Sequence, residues 1–179
     1  MSELMHGTGI WPSDDISGWW ISEKLDGWRC LWDGTGLFTR QGNPFNAPAW
    51  FKAGLPVLGL DGELVTIGTT TCDAVNSAVR AGDWHRLEYR PFDVPTPGMT
   101  FEQAQAIIAA LTLPGHVRPV DWNIVTSTEE AIAYLRTITG RGGEGAMVRR
   151  PGSEYLPGRS CDLLKLKPSN PFLSQSAYP

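Results

Sequence analysis

Hydrophobic and polar positions alternate at short range through much of this chain, and three stretches switch to helical spacing. Residues 19–25 are rich in aromatic and aliphatic side chains and open as a strand. Residues 29–32, a turn at Asp33-Gly34-Thr35-Gly36, and residues 37–40 form the pattern of a β-hairpin. Residues 44–56 read as a loop with a turn at 49–52, and residues 57–67 as a strand interrupted at Asp61-Gly62. A helix over 71–80 is stopped by Ala81-Gly82, and a strand follows over 87–94. Thr100 with Gln103 makes a capping box that opens a helix to residue 111. Residues 117–125 are strand-like. Ser127 with Glu130 makes a second capping box, whose helix runs to residue 139 and stops at Gly140. Residues 145–150 and 162–167 are the last two strands. Strands and helices do not alternate as strict βαβ units, so the fold class expected is α+β with largely antiparallel sheets. No repeat or linker divides the sequence. A single domain over residues 1–179 is expected, with residues 168–179, which hold three prolines, as an extended tail.

Composition narrows the function. With 179 residues, 41% hydrophobic and 19% charged, the chain is globular and can bury a sizeable core. It has no apolar run near the ~18 residues of a membrane span. Residues 1–10 lack a basic, then apolar, leader pattern, so no signal peptide, no membrane partner and a cytoplasmic location are expected. Cys30, Cys72 and Cys161 are odd in number and show no C-x-x-C, which argues against a disulfide framework or a zinc site. His6, His85 and His116 have no ligand spacing. The net charge of −4 excludes a protein that grips DNA chiefly by whole-surface charge.

The candidate chemistry starts at Lys24-Leu25-Asp26-Gly27-Trp28-Arg29, which has the form K-x-D-G-x-R. An ammonium, with a pKa of about 10.4, cannot attack phosphorus. Burial and nearby positive charge lower that value and turn a lysine into a nucleophile. Four further stretches follow in order: Asp61-Gly62-Glu63-Leu64, Phe92-Asp93-Val94, Glu144-Gly145-Ala146-Met147-Val148-Arg149, and Leu164-Lys165-Leu166-Lys167. Lys165 and Lys167, two apart on a strand, point the same way and can reach one phosphate. Glu144 is a hard oxygen ligand suited to Mg²⁺, and an aromatic such as Phe92 offers a stacking platform for a base.

Together these motifs resemble, in order and spacing, the adenylating (nucleotidyltransferase) domain of ATP-dependent DNA ligases, over residues 20–167. The stretches Ser22-Glu23-Lys24-Leu25-Asp26-Gly27, Ala47-Pro48-Ala49-Trp50-Phe51 and Leu163-Leu164-Lys165-Leu166-Lys167 are most similar to the minimal bacterial DNA ligases. The resemblance implies the nucleotidyltransferase fold, ATP with Mg²⁺ or Mn²⁺ as cofactors, and nicked double-stranded DNA as the partner of a monomer. It implies Lys24 as the residue that becomes lysyl-AMP. Arg29 and Glu63 would hold the ribose, Phe92 one face of adenine and Met147 the other, with Glu23 in the same nucleotide pocket. Arg40 would contact a nucleotide or DNA phosphate. Glu144 would hold the metal, assisted by Glu63, and Lys165 and Lys167 would neutralise the α-phosphate. Ligases of this kind carry an OB-fold domain after L-K-x-K. Only twelve residues follow Lys167, so that domain is expected to be absent here or supplied by a separate protein. Two alternatives remain at this point: an RNA ligase or mRNA-capping-type nucleotidyltransferase, which share K-x-D-G, and a non-catalytic nucleic-acid-binding domain. Which nucleotide, if any, becomes covalently attached separates them.

Overall fold

The computed structural model describes residues 4–9, 15–68 and 71–169. In chain order the elements are β1 Met5–Thr8, β2 Trp20–Glu23, β3 Trp28–Trp32, β4 Leu37–Thr39, α1 Ala49–Lys52, β5 Leu60–Thr66, α2 Cys72–Ala81, a 3₁₀ turn Trp84–Arg86, β6 Leu87–Asp93, α3 Phe101–Ala110, β7 Asn123–Ile124, α4 Thr128–Gly140, β8 Ala146–Arg149 and β9 Gly158–Leu166. The class is α+β, and among the described residues the named strands pair antiparallel except for β1 with β9. The described residues divide into two compact units, one within residues 26–120 and the other formed by residues 4–9 and 15–25 with 121–169.

In the first unit a four-stranded sheet runs β4-β3-β5-β6. Its inner face carries Cys30, Leu60, Leu64, Leu87 and Tyr89, all buried, against Val75 and Ala78 of α2 and Ala104 and Ile108 of α3. Each fully buried leucine or phenylalanine contributes roughly 1.5–3 kcal/mol. Asp61-Gly62 does not interrupt β5. It forms a bulge, where the register against β6 shifts. Gly62 has a steric reason to be glycine: a Cβ there would lie 2.6 Å from the Tyr89 ring and 2.7 Å from the Arg90 carbonyl. Helix α3 has the full capping box expected, with Thr100 Oγ1 accepting from Gln103 N–H and Gln103 Oε1 accepting from Thr100 N–H. Residues 117–120 run beside β6, where Arg118 N–H donates to Tyr89 O and Val120 N–H to Pro91 O. Asn123–Ile124 form β7 and pair with β2, so the strand expected over 117–125 is split in two.

In the second unit a five-stranded sheet runs β1-β9-β8-β2-β7. Ile21, Ala146, Val148, Leu164 and Leu166 are buried with Ala131 and Leu135 of α4. At the start of α4, Ser127 Oγ accepts from Glu130 N–H, but the Glu130 carboxylate reaches back to Thr126 N–H and Oγ1. Helix α4 passes through Gly140 and ends at Arg141, before Gly142 takes a left-handed φ of 87°. Strand β1 has no alternating signature in sequence. It exists through parallel pairing with β9, which begins at Gly158 rather than at residue 162. The extended tail expected from 168 lies outside the described residues from 170 onward. No helix among the described residues is long and apolar enough to cross a membrane.

Candidate functional site

Lys24 follows directly on β2, and its N–H donates to the Gly145 carbonyl at 2.9 Å, extending the β2–β8 ladder by one residue. Gly145 has φ 153°, and a Cβ there would lie 2.2 Å from the Leu166 carbonyl. Only glycine lets the start of β8 press this closely on the end of β9. That approach brings three side chains together. Lys24 Nζ donates to Oε2 of Glu144, and Lys167 Nζ lies 2.6 Å from Oε1 of the same carboxylate. Burial raises the Glu144 carboxyl, but hydrogen bonds from Lys167 and Lys24 and their charges outweigh it and hold the group below its ordinary range. Each carboxylate oxygen carries one ammonium, so the cluster bears a net positive charge suited to a phosphate.

The strand registers place the remaining predicted residues of this unit. Ser22, Met147 and Lys165 are cross-strand neighbours on β2, β8 and β9. They share the face from which Lys24 and Lys167 project, since residues two apart on a strand point the same way. Met147 is half-buried against Met5, Tyr155 and Leu163. Glu23 falls on the opposite side of β2, where its carboxylate is paired with Arg141. Its side chain is therefore engaged away from Lys24. Arg149, at the far end of the E-G-x-x-x-R motif, is buried and donates to the Glu154 carbonyl at 2.8 Å, which shapes the turn after β8.

In the other unit, Arg29 of β3 donates through Nε to Asp61 Oδ1 at 2.6 Å and through Nη2 to Oδ2. This is the two-pronged guanidinium–carboxylate geometry. Asp61 is fully buried. The guanidinium also lies 4.6 Å over the centre of the Phe92 ring, within range of a cation–π contact. Glu63 sits in register between Arg29 on β3 and Arg90 on β6. Behind the strand, burial and then the Glu63 and Asp61 carboxylates push the Cys30 thiol up, so it is held protonated. Gly27 admits no side chain: a Cβ would lie 2.3 Å from the Leu64 carbonyl. A cleft of about 350 Å³ is lined by Gly27, Trp28, Arg29, Thr39, Arg40 and Gln41. Two guanidinium groups in a cleft of small-molecule size suit a phosphorylated ligand. Asp61 was not among the residues singled out from sequence as functional. A charged side chain within the apolar run Leu58-Gly59-Leu60-Asp61 was the available signal.

No family model matches the chain. It is 32% identical over 169 residues to a DNA ligase of Haemophilus influenzae, a match covering 92% of this chain and 62% of that one. A solved structure from a structure–function study of Lig E DNA ligases superimposes with a TM-score of 0.78 at 33% identity, over 87% of this chain and 64% of that chain. Both of these similar proteins are DNA ligases. The Chlorella virus DNA ligase–adenylate structure, at 22% identity, has the same fold, with a TM-score of 0.74 over 93% of this chain and 67% of that one. The fold is thus that of the adenylating domain of ATP-dependent DNA ligases, as the motifs implied. This chain spans about three-fifths of the Haemophilus ligase.

Proposed function

We propose that this chain is the adenylating part of an ATP-dependent DNA ligase, with Lys24 as nucleophile. The Lys24 ammonium first gives up a proton to solvent. Its nitrogen then bonds to the α-phosphorus of ATP, the bond to the bridging oxygen breaks, pyrophosphate leaves with the electron pair, and the nitrogen sheds a second proton to solvent. The product is lysyl-AMP. A 5′-phosphate oxygen of nicked DNA next displaces Lys24, whose nitrogen takes up a proton as it leaves that phosphorus, and a 3′-hydroxyl oxygen, its proton lost to solvent, finally displaces AMP to join the strand.

The observation that carries this reading is the cluster of Lys24, Glu144 and Lys167 at the adjoining ends of β2, β8 and β9. Phosphoryl transfer is served by in-line placement and charge neutralisation more than by proton transfer. Lys167, with Lys165 two residues before it, supplies positive charge to the α-phosphate. Arg29 and Glu63 take the ribose, Phe92 the base, and Arg40 a phosphate. No group of three or more His, Cys, Asp or Glu side chains is so placed among the described residues that it could hold a metal ion by itself. Mg²⁺ does not need one, because it keeps waters and is held by one or two carboxylates with substrate phosphates. Glu144 fits that donor set, and Mg²⁺ would neutralise charge on the phosphates.

Intact-protein mass spectrometry tests the reading. After incubation with ATP and Mg²⁺ the protein should gain the mass of one AMP, and added pyrophosphate should remove it. Gain of GMP from GTP in preference would move the chain to the capping-type nucleotidyltransferases. Failure to gain any nucleotide would overturn the catalytic reading.

A further inference from the structure

We infer that Arg141 and Glu23 form a positioning pair that holds Glu144 against Lys24, an inference that rests on the reading of Lys24 as nucleophile. Neither residue touches the reacting atoms. Their effect is on where the connection between α4 and β8 places Glu144.

Glu23 and Lys24 are neighbours and point to opposite sides of β2. Lys24 pairs with Glu144, and Glu23 pairs with Arg141. Both partners lie in the same short connection, which has only Arg141, Gly142 and Gly143 between the last residue of α4 and Glu144. One segment is therefore tied twice to two adjacent residues at the end of β2, with the charges reversed on the two sides. Fixing Arg141 leaves little freedom for Glu144.

The rest of the connection is equally constrained. Arg141 N–H donates to the Ile138 and Thr139 carbonyls and closes α4. Gly142 N–H donates to Thr139 O and Gly143 N–H to Ile138 O, each at 3.0 Å. At Gly143 a Cβ would fall 2.5 Å from Ile138 Cγ2 and 2.9 Å from Oε1 of Glu23. The Glu23 carboxylate thus packs directly on the bare backbone of the connection. Tyr134 of α4 senses the same carboxylate: burial first, and then the Glu23 charge, push its phenol up. The Arg141 side chain is 59% exposed and that of Glu23 26%, so the pair adds little to overall stability. Its contribution is geometric.

The test reads the exposure of the Lys24 amine, without nucleotide, by trace acetylation with acetic anhydride and peptide mass spectrometry, with Lys52 as internal reference. Adenylation is measured in parallel in single turnovers. Arg141→Ala should raise Lys24 acetylation by about two- to five-fold, the scale on which a half-exposed ion pair acts. It should lower the rate of AMP attachment by a similar factor without changing the ATP concentration at half-maximal rate. Arg141→Lys should retain most of the wild-type behaviour, and the paired reversal Glu23→Arg with Arg141→Glu should restore it. Glu144→Ala sets the upper limit of acetylation. If Arg141→Ala does not fold by circular dichroism, Glu23→Gln carries the same expectation.

Wild-type acetylation in a folded Arg141→Ala protein, with a rise only in Glu144→Ala, would overturn the positioning pair. A folded charge-reversed protein that fails to recover would do the same. A protein that gains no AMP from ATP, yet shows the acetylation rise in Arg141→Ala, would sink the ligase reading and leave the pair standing.

Discussion

The two cations of the Lys24-x-Asp26-Gly27-x-Arg29 motif each find a carboxylate, one in each compact unit, and the two pairs differ in kind. Arg29 grips Asp61 with two prongs, Asp61 is fully buried, and Phe92 covers the guanidinium. Lys24 shares Glu144 with Lys167, and all three side chains keep contact with solvent. A buried charge that loses its partner is costly, whereas a solvent-touching ammonium can exchange its partner for a phosphate at little cost. The first pair is built to stay as it is. The second is built to be rearranged. In the proposed reaction that division is useful, since Arg29 has only to hold a ligand while Lys24 must break its contact and form a bond.

Breaking the exchangeable pair should have the largest effect on chemistry. Lys24→Ala should abolish pyrophosphate-reversible AMP attachment, which intact mass reads directly, while the thermal midpoint barely moves. Attachment that persists in this variant would mean that another residue is the nucleophile. The fixed pair should show the opposite signature. Arg29→Ala takes the guanidinium from buried Asp61 and should cost about 3 kcal/mol in urea unfolding. A loss below about 1 kcal/mol would place Asp61 with the exchangeable carboxylates.

The contact between Arg29 and Phe92 allows a finer cut. If Phe92 also stacks on the base, Phe92→Ala should lose about 1–3 kcal/mol of that interaction and weaken ATP use about ten-fold or more. Phe92→Tyr should be mild. Equal effects of the two changes would assign the ring to packing under Arg29 alone.

The smallest expected effect is on pH dependence. Glu144 titrates below its ordinary value of 4.5 in the folded protein. Its contribution to stability is therefore fully present above that value and is lost as pH falls through the depressed folded one. Glu144→Gln should flatten this part of the acid limb of the stability curve and lower neutral stability by the small amount that the wild type loses there on acidification. An acid limb identical to wild type would show that the two lysines do not hold the carboxylate as described.

Much of this was legible in the chain itself. Local signals identified β2, the β3–β4 hairpin, the helices α2, α3 and α4, and the glycine-bearing motifs, because turns, caps and alternation are decided by neighbouring residues. The ends of elements were less legible where local residues were weighed alone. Gly140 sits inside α4 because the hydrogen bonds that end the helix are made by Arg141, Gly142 and Gly143. The run 117–125 is split because its first residues pair with β6 and Asn123 and Ile124 pair with β2.

What the sequence determined by itself is the inventory: which residues carry charge, in what order, and that Gly27, Gly62 and Gly145 occur beside them. What only the tertiary structure decided is the pairing. Lys24 and Glu144 are 120 residues apart and Arg29 and Asp61 are 32 apart, so nothing local names them as partners. Strand register brings each carboxylate to its cation, and β2 turns Glu23 and Lys24 to opposite sides. Burial then sets Asp61 permanently on Arg29 and leaves Glu144 free to exchange. The physical reason is that a charge's role depends on its distance to other charges and to water, and both are properties of the folded chain.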